Sequence, residues 1–123
     1  MSGPKRIIII EDEFLIQADY EAAIKQDFPS AEIHTLPDSE RLVEFYHRVK
    51  PDLIITDLVM ESQHEGIKGI SEIRSIDPYL PIIVASGHGD FLNLAESFNI
   101  NGSLQKPINP NQLIAKIRSV FAQ

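Results

Sequence analysis

A chain of 123 residues with 18 acidic and 11 basic side chains, a net charge of −7 and no cysteine is long enough for one hydrophobic core and too short for two. The charge excludes a basic nucleic-acid face within the chain, and the lack of cysteine excludes disulfide and thiolate chemistry. Apolar residues at 43% and charged residues at 24% are the balance of an ordinary globular domain, so residues 1–123 are expected to form one domain.

Lys5-Arg6 followed by four isoleucines has the outline of a secretory leader, but Glu11-Asp12-Glu13 ends the apolar run too early. No stretch approaches transmembrane length. A cytoplasmic location without membrane contact is the expectation. Arg6 to Ile10 then reads as a first strand, β-branched and apolar on both faces. A helix follows from about Glu13 to Asp27, with Ile16, Tyr20, Ala23 and Ile24 on one face, and Pro29-Ser30 ends it. Glu32 to Leu36 alternates polar and apolar, as a strand with one wetter face does. Asp38 or Ser39 can cap a second helix that carries Leu42, Tyr46 and Val49 inward and stops before Pro51.

Leu53-Ile54-Ile55 is a third strand, unbroken in its apolar character, and it stops at Thr56-Asp57. A polar loop over 61–66 leads to Ile67, Ile70, Ile73 and Ile76, a repeat read as a helical face that Asp77-Pro78 closes. Leu80 to Ser86 is a fourth apolar strand. A short helix is expected between Gly87 and Phe98, and Asn101 to Gln105 is a weak fifth strand. Asn109-Pro110 supplies a cap and a favoured first residue for a last helix bearing Leu113, Ile114, Ile117, Val120 and Phe121.

Strand and helix thus alternate five times, the pattern of a parallel sheet with helices on both faces. The polar second and fifth strands belong at the edges. Right-handed crossovers then predict a doubly wound α/β fold, (βα)5 and flavodoxin-like, with strand order 2-1-3-4-5. In such a fold the strands point their carboxyl ends at one rim, where open α/β sheets keep their sites. Strand one delivers Glu11 and Asp12, strand three Asp57, strand four Ser86 and strand five Lys106. Singly, each has a plain reading. Asp12 and Asp57 can cap helices or start loops, Ser86 can turn the chain, and Lys106 can be a solvated charge.

Together they bring three carboxylates, a hydroxyl and an ammonium to one crevice. Crowded carboxylates repel one another unless a cation intervenes, and a hard cation such as Mg²⁺ prefers oxygen ligands. Lys106 and Ser86 suit the oxygens of a phosphoryl group. A carboxylate placed between them, Asp57, can itself be a phosphoryl-accepting nucleophile.

The ordered set Ile10-Glu11-Asp12-Glu13, Asp57-Leu58-Val59-Met60, Ser86-Gly87 and Lys106-Pro107 resembles the receiver domain of two-component response regulators, over nearly the whole chain. The resemblance implies that Asp57 accepts a phosphoryl group from the phosphohistidine of a sensor histidine kinase or histidine phosphotransfer protein. It implies Mg²⁺ bound by Glu11, Asp12, Asp57 and the Val59 backbone carbonyl, and phosphoryl oxygens bound by Ser86 and Lys106. It also implies a cis Lys106–Pro107 bond. The chain would then be no enzyme toward a separate substrate, catalysing only its own phosphorylation and dephosphorylation to control an output domain or effector protein.

Four positions depart from the family's usual pattern. Glu11 replaces an aspartate, Glu61 stands where proline is frequent, and the loop to Gly66 is one residue longer. Ser103 takes the place of an aromatic residue that often couples phosphorylation to the output face. The altered loop and Ser103 motivate an alternative, a pseudo-receiver acting as a phosphorylation-independent interaction module, against which the intact Glu11, Asp12, Asp57, Ser86 and Lys106 argue. A flavin or nucleotide binder on the same fold would need a Gly/Ser/Thr-rich loop after strand one, where Glu11-Asp12-Glu13 would repel phosphate. His34, His47 and His64 show no ligand spacing, and His88 reads as a turn residue.

Overall fold

Three strands that are apolar throughout take the middle of a five-stranded parallel sheet. The computed structural model describes residues 3–58, 65–87, 93 and 96–122. Its strands are β1 (Arg6–Ile10), β2 (Glu32–Leu36), β3 (Leu53–Asp57), β4 (Ile82–Ser86) and β5 (Gly102–Gln105), in the order β2-β1-β3-β4-β5. β3 and β4 are buried at every residue, while β2 and β5 are mostly half-buried, so the polar strands are the edges, as expected. The helices are α1 (Phe14–Asp27), α2 (Leu42–Val49), α3 (Glu65–Ile76) and α4 (Pro110–Phe121). The short helix expected between Gly87 and Phe98 falls mostly outside the described residues.

The isoleucine run of β1 is shared between two cores. Ile7 and Ile9 join Leu53, Ile55 and Ile83 beneath α1 and α4, where Tyr20, Ile24, Leu113 and Ile117 cover them. Ile8 and Ile10 join Ile54, Ile82 and Val84 beneath α2 and α3, where Leu42, Val49, Ile70 and Ile73 cover them. Period-two alternation demands this split, and burial on both faces explains the absence of polar residues. The Asp52 carboxylate pins the start of β1 to the start of β3, accepting from the Lys5 and Arg6 N–H groups at 2.8 and 3.0 Å. At the start of α4, Asn109 and Gln112 form a reciprocal capping box.

Two expectations need correction. Ile76 does not share the inward face of α3: Ile70 and Ile73 are buried, but Ile76 is 45% exposed. A three-residue spacing slips back by about 60° per step on a helix of 3.6 residues per turn, so three steps place Ile76 opposite Ile67. Accordingly, Ile73→Ala should cost about 2–5 kcal/mol in urea denaturation, and Ile76→Ala no more than about 0.5 kcal/mol. Equal losses would contradict this assignment of faces. The second correction concerns α2, which begins at Leu42 without any side-chain cap. Asp38 instead closes the preceding turn, where its Oδ1 accepts from the Glu40 N–H at 2.9 Å. Ser39 is buried there against Gly69, where an added Cβ would stand 2.7 Å from the Ser39 Cβ, so α3 approaches that turn as closely as a glycine permits.

Candidate functional site

Sheet register brings the polar strand ends to one level. Ile10 pairs with Thr56, Asp57 with Ala85 and Ser86 with Gln105. Glu11 therefore stands beside Asp57, and Lys106 follows directly on the residue opposite Ser86. The Lys106 N–H donates to the Ser86 carbonyl at 2.8 Å, continuing the ladder past β5. The Lys106–Pro107 peptide bond is cis.

From this position the Lys106 side chain crosses β4, a span of about 10 Å between β5 and β3. Its Nζ donates to Asp57 Oδ2 at 2.7 Å and to Glu11 Oε1 at 2.8 Å. Lysine's long stem makes that reach available. Glu11 and Asp57 are buried, with 1% and 4% exposure, and Ser86 is fully buried at the end of β4. Asp12 is exposed beside them. One carboxylate oxygen from each of Glu11, Asp12 and Asp57 lies within 4.8 Å of the others.

Asp12 is not the cap of α1. The cap position is Glu13, which makes no side-chain capping bond. The Glu13 N–H is instead taken by Glu11 Oε2 at 3.1 Å, which turns the chain so that both acids face the rim. Gln17 supports this corner: its side-chain amide donates to the Glu11 carbonyl at 2.5 Å and to the Leu36 carbonyl at 3.4 Å. Sequence reading missed Gln17, whose spacing carries no signal of that bond. It also placed Tyr20 in the core alone. Tyr20 is buried, yet with Ile16, Asp19, Lys106, Pro107, Ile108 and Pro110 it lines a cavity of about 140 Å³ beside the site. Val59, the proposed carbonyl ligand, lies outside the described residues, as do Glu61, His64 and His88. Ser103 is half-buried on β5, in register with Val84.

The electrostatics follow from burial and contact. Burial pushes the Glu11 carboxyl up from its ordinary 4.5 to about 6, against the Lys106 ammonium and the Glu13 N–H, which pull it down. Burial alone would lower Lys106, but its bonds to Asp57 and Glu11 outweigh it and hold the ammonium above its ordinary value. The result is a fixed cation against two buried carboxylates, with a third at the lip. An all-oxygen donor set of this kind suits a hard divalent cation, and the close placement of the three acids meets the geometric requirement.

Fold and site together define an open, doubly wound α/β protein with an acidic pocket and one lysine at its carboxyl rim. The chain belongs to the response regulator receiver domain family, whose pattern it matches over residues 7–118. The PdtaR transcriptional regulatory protein of Mycobacterium tuberculosis is 31% identical over 116 residues, covering 93% of this chain and 55% of that protein. The methanol utilization control regulatory protein MoxX of Paracoccus denitrificans is 27% identical over 120 residues, covering 95% of this chain and 53% of that protein. The chain thus spans about half the length of these relatives. Among solved structures, a response regulator receiver domain protein from Clostridium thermocellum superposes with a TM-score of 0.82 at 26% identity, covering 96% of this chain and 94% of that one. The chemotaxis response regulator CheY4 of Vibrio cholerae superposes with a TM-score of 0.82 at 21% identity, covering 94% and 98%. The expected fold and family are both correct. No helix among the described residues is long and apolar enough to cross a membrane.

Proposed function

We propose that this chain is a cytoplasmic phosphoacceptor switch, in which Asp57 takes a phosphoryl group from the phosphohistidine of a sensor kinase or phosphotransfer protein. The observation that carries the reading is the pair of hydrogen bonds that Lys106 Nζ donates to Asp57 and Glu11, which brings a buried nucleophilic carboxylate and a cation to one point on the rim. Asp57 forms the new O–P bond as the P–N bond of the donor breaks, and the bond's electron pair leaves on the imidazole. Lys106 then releases a carboxylate and holds a phosphoryl oxygen. Ser86, at the end of β4, donates its hydroxyl proton to another. Glu11, Asp12 and Asp57, with the Val59 carbonyl, would hold Mg²⁺. Bound there, Mg²⁺ neutralises charge on the transferring group. The phosphorylated form would act on an output domain or an effector protein.

The test uses acetyl phosphate with Mg²⁺. The protein should gain one acid-stable, base-labile phosphoryl group, and Asp57→Asn should gain none. Equal labelling of the variant would move the site elsewhere. No labelling of the wild type would favour the phosphorylation-independent interaction module.

A further inference from the structure

We infer that Arg74 is a positioning residue for Lys106, acting through the amino ends of β4 and β5. A guanidinium has five N–H groups, and here all five are engaged at one junction. Nε donates to the Phe98 carbonyl at 2.9 Å. Nη1 donates to the carbonyls of Asp77 and Leu80 at 3.1 and 2.8 Å. Nη2 donates to the Asn99 carbonyl and to Asn101 Oδ1 at 3.0 and 3.2 Å. These acceptors lie on two segments, the turn from α3 into β4 and the turn into β5. Asn101 completes the link. Its Oδ1 also accepts from the Ile82 N–H at 3.0 Å, and its own N–H donates to the Ile82 carbonyl at 2.8 Å.

β5 needs such an anchor. It is a four-residue edge strand, half-buried at best, and Leu104 is its one large apolar residue. A strand with so little apolar burial specifies its own register weakly. A slip of one residue would move Lys106 by about 3.3 Å along the sheet and turn its side chain to the other face. The ammonium would then miss Asp57 and Glu11. β3, which carries Asp57, is buried at every residue, and β1, which leads into Glu11 and Asp12, at all but its first. The clamp therefore bears on the lysine arm of the site and not on the carboxylates.

Uptake of a phosphoryl group enters the test through the reading of Asp57 above, whereas hydrogen exchange does not depend on it. The variants are Arg74→Met, Asn101→Ala and, as a control, Tyr46→Phe. The Tyr46 hydroxyl donates to Asp77 Oδ2 at 2.8 Å, at the same end of α3, a bond that joins α2 to the end of α3 and not β4 to β5. In Arg74→Met, exchange of the Lys106 amide should accelerate by about tenfold relative to the Leu58 amide, which bonds to Ala85 across β3 and β4. Phosphoryl uptake from acetyl phosphate should fall by about tenfold, since small displacements of a positioning group are costly. Asn101→Ala should move both readouts in the same direction. Arg74→Lys keeps the charge with three donors, should fall between wild type and Arg74→Met, and serves if the methionine variant does not fold. Tyr46→Phe should lower the melting temperature and change neither readout. If the Lys106 and Leu58 amides accelerate together, or if Tyr46→Phe loses uptake equally, Arg74 only stabilises the fold and the inference fails. If the wild type takes up no phosphoryl group yet the Lys106 amide is selectively released in Arg74→Met, positioning stands and the phosphoacceptor reading falls.

Discussion

Lys106→Met is expected to lose about 3–5 kcal/mol of folding stability at pH 8 in EDTA, the cost of leaving buried charge uncompensated. Lys106 is the shared partner of Glu11 and Asp57, and both carboxylates are almost fully buried. Methionine keeps most of the apolar stem, so packing alone would lose far less. The pH dependence identifies the cause. In the wild type, burial raises the folded-state value of Glu11 above its ordinary 4.5, to about 6. The folded state therefore binds the proton more tightly than the unfolded chain. The stability linked to Glu11 is full below about 4.5 and is lost as pH rises through 6, a change of about 2 kcal/mol. Removing the ammonium lets burial and Asp57 raise Glu11 further, so the loss extends to higher pH and the variant recovers much of its deficit at pH 5.5. Lys106 itself is raised, so its contribution is complete below its ordinary value and does not vary across this window. Urea denaturation at pH 5.5 and 8 measures both effects. Phosphoryl uptake should fall by about a hundredfold, the scale of losing a charged stabiliser. A variant as stable as wild type at pH 8 would show that the ammonium does not hold the acids together.

Mg²⁺ should raise the melting temperature of the wild type by on the order of ten degrees. A ligand that binds only the folded state at about one hundred times its dissociation constant contributes roughly 2.7 kcal/mol, and a domain of this length converts that into such a shift. The close approach of Glu11, Asp12 and Asp57 motivates the expectation. Asp12→Asn should be more stable than wild type in EDTA, because one like charge is gone, and should respond less to Mg²⁺. Asp57→Asn should gain less in EDTA than Asp12→Asn, since it also gives up the ion pair with Lys106 and leaves only an amide oxygen to accept from Nζ. Thermal melts in EDTA and in millimolar Mg²⁺, matched in ionic strength with NaCl, separate site binding from screening. Identical wild-type melts, with Asp12→Asn no more stable in EDTA, would remove the cation from the proposed mechanism.

The order of strands was legible because burial on two faces leaves a plain mark on composition. Ile7 to Ile10, Leu53 to Ile55 and Ile82 to Ala85 carry no polar residue, so they had to be central, and crossover handedness left one arrangement. The same rule put Glu11, Asp12, Asp57, Ser86 and Lys106 at one rim, since parallel strands share a carboxyl end. The sequence alone could not say which isoleucines of β1 face which helices, because four identical side chains hide the alternation. It misplaced Ile76, because a threefold spacing imitates a helical face over two steps and drifts away over three. Tertiary structure alone decided that Lys106 crosses β4 to hold Glu11 and Asp57 together, since the contact joins residues 95 and 49 positions apart and depends on strand register. It alone decided that Arg74 places all five donors on carbonyls and one amide oxygen. Backbone acceptors have no residue identity, so no motif could announce them.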